Sequence, residues 1–150
     1  MIFTLKTNMR IVFSILTIIV LFCFCTKSPG CWGESKDEGI INSSVIIKCE
    51  TTGQQFIVSD DSTYKSLFPP NCDLPAIDFS TNTLLGQYAD GGCELKIIRE
   101  VIKLDEEKKY HYKLIVKECG MCKRLVYSYN WVTVPKLPKD WTVSFEIDKK

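Results

Sequence analysis

"KYHYKLIVKECGMCKRLVYSYNWVTV", residues 109–134, is the stretch that decides the fold. It alternates in polarity along most of its length, the period-two signature of half-buried strands. Up to Val116 the even positions Tyr110, Tyr112, Leu114 and Val116 make an apolar face, while Lys109, His111, Lys113 and Lys117 make a polar one that only Ile115 interrupts. Beyond Arg124 the odd positions Leu125, Tyr127, Tyr129 and Trp131 are the more apolar set. A two-residue turn at Gly120-Met121 places Val116 opposite Leu125, Leu114 opposite Tyr127, Tyr112 opposite Tyr129 and Tyr110 opposite Trp131. Every partner then sits on the apolar face of its own strand, and a one-residue slip would set apolar against polar throughout. Glycine at the first turn position suits a type II′ turn. The stretch is expected to be a hairpin.

Working outward, "CELKIIREVIKL" (93–104) is a strand that pairs upstream across Asp105 and Glu106, with Leu95 facing Val116, Ile97 facing Leu114 and Val101 facing Tyr110; Arg99 opposite Tyr112 is the one misfit. Residues 93–134 therefore read as a three-stranded meander with one aromatic-aliphatic core face. Upstream, "SSVIIKCE" and "QQFIVSD" flank "TTG" as a further hairpin. Asp61 or Ser62 is placed to cap a brief helix whose Tyr64, Leu67 and Phe68 share a face, stopped by Pro69-Pro70. "WTVSFEID" (141–148) is the last strand. One short helix among seven or eight strands predicts a mostly β chain, an antiparallel β-sandwich or open barrel.

The N-terminus carries an address. Lys6 and Arg10 are the only charges before an apolar run from Ile11 to Phe24, 14 residues, the length of a signal-peptide core and too short to span a bilayer as a helix. Residues 1–24 are read as an export signal, 25–40 as a flexible tether rich in Gly, Ser, Lys and acids, and 41–150 as a single β domain. Cys25, directly after the apolar run, resembles the lipidated cysteine of bacterial lipoproteins, which implies a palmitate-type anchor and a place on the cell envelope. Phe22, Cys23 and Phe24 are larger than the residues that family places there, so modification at Cys23, or plain cleavage to a secreted or periplasmic product, stay open. Removing residues 1–24 takes two of the 19 basic side chains and none of the 18 acidic ones, leaving a formal charge of −1. Such a chain has no basic surface with which to displace counterions from nucleic acid.

Export also sets the chemistry of the cysteines, since thiols outside the cytosol usually pair. Cys119-Gly120-Met121-Cys122 has the spacing of a thioredoxin-type redox site, with Cys119 as nucleophile. That site needs a helix N-terminus after the strand to lower the thiol pKa, and the residues after Cys122 alternate as a strand. Only 28 residues follow Cys122. A zinc half-site is the other reading of the spacing, and no second Cys-x-x-Cys completes it. His111, the single histidine, stands between lysines on a polar strand face. No nucleophile elbow, phosphate loop or zinc-binding helix is present. Asp60-Asp61 and Glu106-Glu107 fall in turn-like segments, and Asn42 opens a glycosylation sequon that carries little weight behind a signal that resembles bacterial ones. No catalytic residue, cofactor or metal is assigned. The strand parity puts Cys119 and Cys122 opposite the face of Tyr112 and Tyr129, where a cross-turn bridge is expected. A link from Cys93 to either thiol, through a bend at Gly91-Gly92, is the alternative.

"IDFSTNTLLGQYADGGCELKI" (77–97), followed by paired strands and "NWVTVPKLP" (130–138), resembles the C-terminal domain of PrcB-type protease-complex subunits. The resemblance spans residues 77 to about 137 and implies an exported lipoprotein that binds a protease rather than catalysing a reaction. The cysteines depart from that family's pattern. The expected function is a non-enzymatic binding or accessory protein of the envelope, with an unknown envelope protein, a protease among them, or a ligand as partner. A thiol–disulfide oxidoreductase using Cys119 and Cys122 is the alternative. Trp131, Pro135, Lys136, Leu137 and Pro138 form the candidate recognition segment, because two prolines three apart disrupt ladder pairing and expose a strand end.

Overall fold

The computed structural model describes residues 35–120 and 124–150. The export signal, Cys25 and Cys122 lie outside the described residues. Eight strands and one helix follow in the order β1 (Lys36–Gly39), β2 (Ser43–Val45), β3 (Gln55–Val58), α1 (Asp61–Ser66), β4 (Asn82–Gly92), β5 (Glu94–Leu104), β6 (Lys109–Cys119), β7 (Leu125–Pro135) and β8 (Thr142–Lys149). They form two four-stranded sheets, β1-β5-β6-β8 and β2-β7-β4-β3. Among the described residues the chain is the expected mostly β sandwich with one short helix. Two pairings, β1 with β5 and β6 with β8, are parallel rather than antiparallel. β1 also takes residues 36–39 out of the segment read as tether and into the first sheet.

The frame is one long, bent ribbon. β4 pairs antiparallel with β7 from Asn82↔Pro135 to Gly92↔Leu125. β5 continues the ribbon with β6 from Glu94↔Cys119 to Leu104↔Lys109. Between the two ladders stands Cys93 alone on one strand, at φ +62°, bridged to Cys119 and donating its N–H to the Arg124 carbonyl. The ribbon turns over on itself at this point, so its halves become the centres of different sheets. β6 and β7 are therefore not a hairpin: β6 lies between β5 and β8, and β7 between β4 and β2. None of the four pairs drawn across Gly120-Met121 forms.

The β5–β6 register differs from the sequence reading by two residues. Val101 faces Tyr112, Ile97 faces Val116 and Leu95 faces Glu118, because the turn holds four residues, Asp105–Lys108, instead of two. A two-residue shift preserves parity, so each side chain still faces the side its alternation indicated. β2 and β3 do not pair with each other; they lie at opposite edges of the second sheet, on β7 and β4.

Two cores result. Between the sheets, Tyr110, Tyr112, Leu114 and Val116 of β6 meet Leu85 and Ala89 of β4 and Val132 and Val134 of β7. On the outer face of the second sheet, Trp131 and Leu84 pack with Phe56, Val58, Tyr64 and Phe68 under α1 and its flanking loops. The apolar odd face of β7 thus belongs to a different core from the even face of β6. Asp60, one residue before the expected positions, caps α1: its carboxylate accepts from the Thr63 N–H and hydroxyl, each at 2.8 Å. The Cys49–Cys72 disulfide ties the segment after β2 to the loop after α1.

Candidate functional site

β4 covers one edge of β7 along its whole length, but β2 covers the other edge only from Trp131 to Thr133. Among the described residues no strand lies beside β7 from Leu125 to Asn130. Two clefts run along this open edge. One, about 420 Å³, is walled by the Val45–Glu50 segment, Arg99, Tyr127 and Trp131. The other, about 480 Å³, continues past Arg99, Ser128 and Val126 to Leu95, Cys93 and Arg124. Volumes of this size are those of small-molecule and peptide sites.

The chemistry of the walls differs by face. On the outer face an aromatic run leads from the core to solvent: Trp131 stacks with Tyr129 at 6.3 Å, Tyr129 meets Tyr88 edge-on at 5.4 Å, and Tyr88 stacks with Tyr127 at 6.4 Å. Trp131 is 1% exposed and Tyr127 55%, and Leu125 beyond it is 67% exposed. The Tyr129 hydroxyl donates to the Thr51 carbonyl at 2.7 Å, which holds the ring upright. On the inner face Arg99 donates through Nε to Asp37 at 2.5 Å. Nearby the Tyr112 hydroxyl donates to the Asn130 carbonyl at 3.0 Å, and burial pushes this phenol's pKa well above its ordinary value. Gln87, on β4 beside Asn130, donates to the Glu146 carbonyl at 3.2 Å. Its Oε1, and the buried Nε1 of Trp131, have no hydrogen-bond partner among the described residues.

The residues singled out in the sequence fall in other places. Trp131 is buried, so it is a core residue and not a surface for recognition. Lys136 donates its ammonium to the carbonyls of Ser59 and Phe79 at 2.6 and 2.7 Å, and Leu137 packs against the inter-sheet core. This segment closes the fold where β7 ends. Cys119 is 3% exposed and disulfide-bonded, and its neighbour Cys93 is disulfide-bonded as well. The chain continues from Leu125 as a strand, so among the described residues no helix N-terminus follows Cys119 to activate it. The Cys49–Cys72 bridge was not anticipated; nothing in the spacing of two isolated cysteines signals it.

His111 has company that its sequence neighbours did not suggest. Its Nδ1 lies 2.9 Å from Ser144 Oγ and its Nε2 3.1 Å from Glu146 Oε2, both on β8. The hydroxyl, imidazole and carboxylate of a hydrolase are thus adjacent. Glu146, however, is also bound to Lys113 at 2.8 Å, and that hydrogen bond foremost holds its pKa below the ordinary carboxylate value. The trio sits on the outer strand surface and works as a polar staple between β6 and β8. The described residues hold no cluster of three or more His, Cys, Asp or Glu arranged for a metal ion. No protein-family model, curated protein or solved structure matches the chain.

Proposed function

We propose that this protein is a non-enzymatic binding module of the bacterial envelope, exported and held on a membrane through a lipid at Cys25, and that it engages another protein with the open β7 edge and its tyrosine face. The observation that carries this reading is the exposure of Leu125 and Tyr127 at the end of an aromatic run, beside a strand edge that no described strand covers. Exposed aromatic and aliphatic groups next to open backbone mark interaction surfaces rather than solvated faces. The likeness to PrcB-type subunits makes a protease the first partner to test. A photocrosslinking residue at Tyr127 in the full chain, expressed in its native envelope, should give a discrete protein adduct. The same residue at Ile102, exposed on the outer face of the other sheet, should not. Equal labelling from both positions would sink the proposal.

A further inference from the structure

If β7 is the binding edge of the module described above, its backbone sets the recognition mode. Along β7 the peptide groups alternate sides. The Cys93 N–H donates to the Arg124 carbonyl at 2.7 Å and the Lys136 N–H to the Thr81 carbonyl at 2.8 Å, so even-numbered residues serve the β4 side. The Thr133 carbonyl accepts from the Asn42 N–H at 2.8 Å, on the β2 side. Tyr127 and Tyr129 share the parity of Thr133, and their N–H and C=O groups face the open edge. That edge, from Leu125 to Asn130, is about 20 Å long at ~3.3 Å per residue.

We infer that the β7 edge takes an extended, uncharged segment of a partner protein as an added strand, in line with β2. Unpaired backbone donors and acceptors at a sheet edge are matched by another backbone. The charges of the clefts select the kind of segment. Lys48, Arg99 and Arg124 are offset by Glu50, Glu94 and the Asp37 already bonded to Arg99, so the groove is balanced and favours neither an acidic nor a basic strand. Side chains alternate along an added strand: one set meets Tyr127 and Tyr129, the other Leu95, Ile97 and Val126.

Proline at residue 127 removes an edge-facing N–H while leaving every β4 bond in place, and an edge strand tolerates it. Alanine there removes the ring and keeps the backbone. Uncharged nonapeptides selected from a displayed library on the full chain in detergent are the probe. Strand addition predicts that Tyr127→Pro binds them about tenfold more weakly than Tyr127→Ala does, as expected for a lost backbone hydrogen bond. It also predicts that the Tyr129 amide of the parent protein gains hydrogen-exchange protection on binding. Equal affinities of the two variants, an unprotected Tyr129 amide, or a library that yields no binder would each overturn strand addition. The binding-module reading would then still stand or fall on the Tyr127 crosslink.

Discussion

Trp131 lies flat on Gly86: a β-carbon at residue 86 would stand 2.2 Å from Trp131 Cζ3 and 2.4 Å from Cε3. The two residues are register partners on β4 and β7, so the indole crosses its neighbouring strand at backbone distance. Phe56 and Phe68 close over it at 5.0 and 5.6 Å between ring centres. Gly86→Ala should therefore lower unfolding free energy by about 2–3 kcal/mol through overpacking. Denaturant titration of a double-mutant cycle is the check: in a Trp131→Val background the alanine should cost far less.

The Cys49–Cys72 bridge closes a 23-residue separation, and breaking it with a Cys72→Ser substitution should cost about 3 kcal/mol by the loop-entropy relation. The loss should be local in character. Because the bridge pins the wall of the cleft beside β7, hydrogen exchange should rise first in residues 46–50 and 67–79. Uniform loss of protection across β5 and β6 would contradict this.

Acid should act on the carboxylates whose pKa the fold depresses, and two of them lie in turns. The Thr63 backbone N–H foremost holds Asp60 below its ordinary pKa, and the Ser80 hydroxyl foremost does the same for Asp78. A carboxylate with a depressed folded-state pKa contributes stability above its unfolded value, near 3.8, and loses it as pH falls through the folded value. Stability should be level from neutral pH to about pH 4 and fall below it, and Asp60→Asn with Asp78→Asn should flatten that limb. Urea midpoints measured from pH 2 to 7 decide the matter.

Alkali acts in the opposite direction. Burial raises the Tyr112 pKa above its ordinary value of 10.0, and burial raises Tyr110 and Tyr64 too. A raised phenol contributes stability that is complete below the unfolded value and is lost as pH climbs past it. Unfolding free energy should decline above pH 10, less steeply in Tyr112→Phe. At neutral pH that variant should lose about 1 kcal/mol with the bond to the Asn130 carbonyl.

An insulin-reduction assay separates binding from redox chemistry. Cys119 is disulfide-bonded, buried and followed by no helix among the described residues, so the purified protein should leave insulin disulfides intact. Turnover that vanished in Cys119→Ser would establish an oxidoreductase.

Alternation by itself identified the strands and the face of each that is apolar, because side-chain direction has a period of two whatever the strand pairs with. It placed Tyr110, Tyr112, Leu114 and Val116 on a buried face, and in β5–β6 it kept the right parity through a two-residue error in the turn. It also located the short helix from its proline stop. Alternation carries no information about which element covers an apolar face. The even face of β6 and the odd face of β7 matched as a hairpin would, yet the bend at Cys93 sends them into different sheets and different cores. The candidate site was illegible for the same reason. Tyr127 and Trp131 both read as core on their pattern, while the nearby prolines made Trp131 and Lys136 candidates for a recognition segment. Only tertiary structure decided that β2 stops at Trp131 and that no described strand covers this edge of β7 from Leu125 to Asn130, since an open edge is defined by where neighbouring strands end, a long-range pairing that no local pattern records.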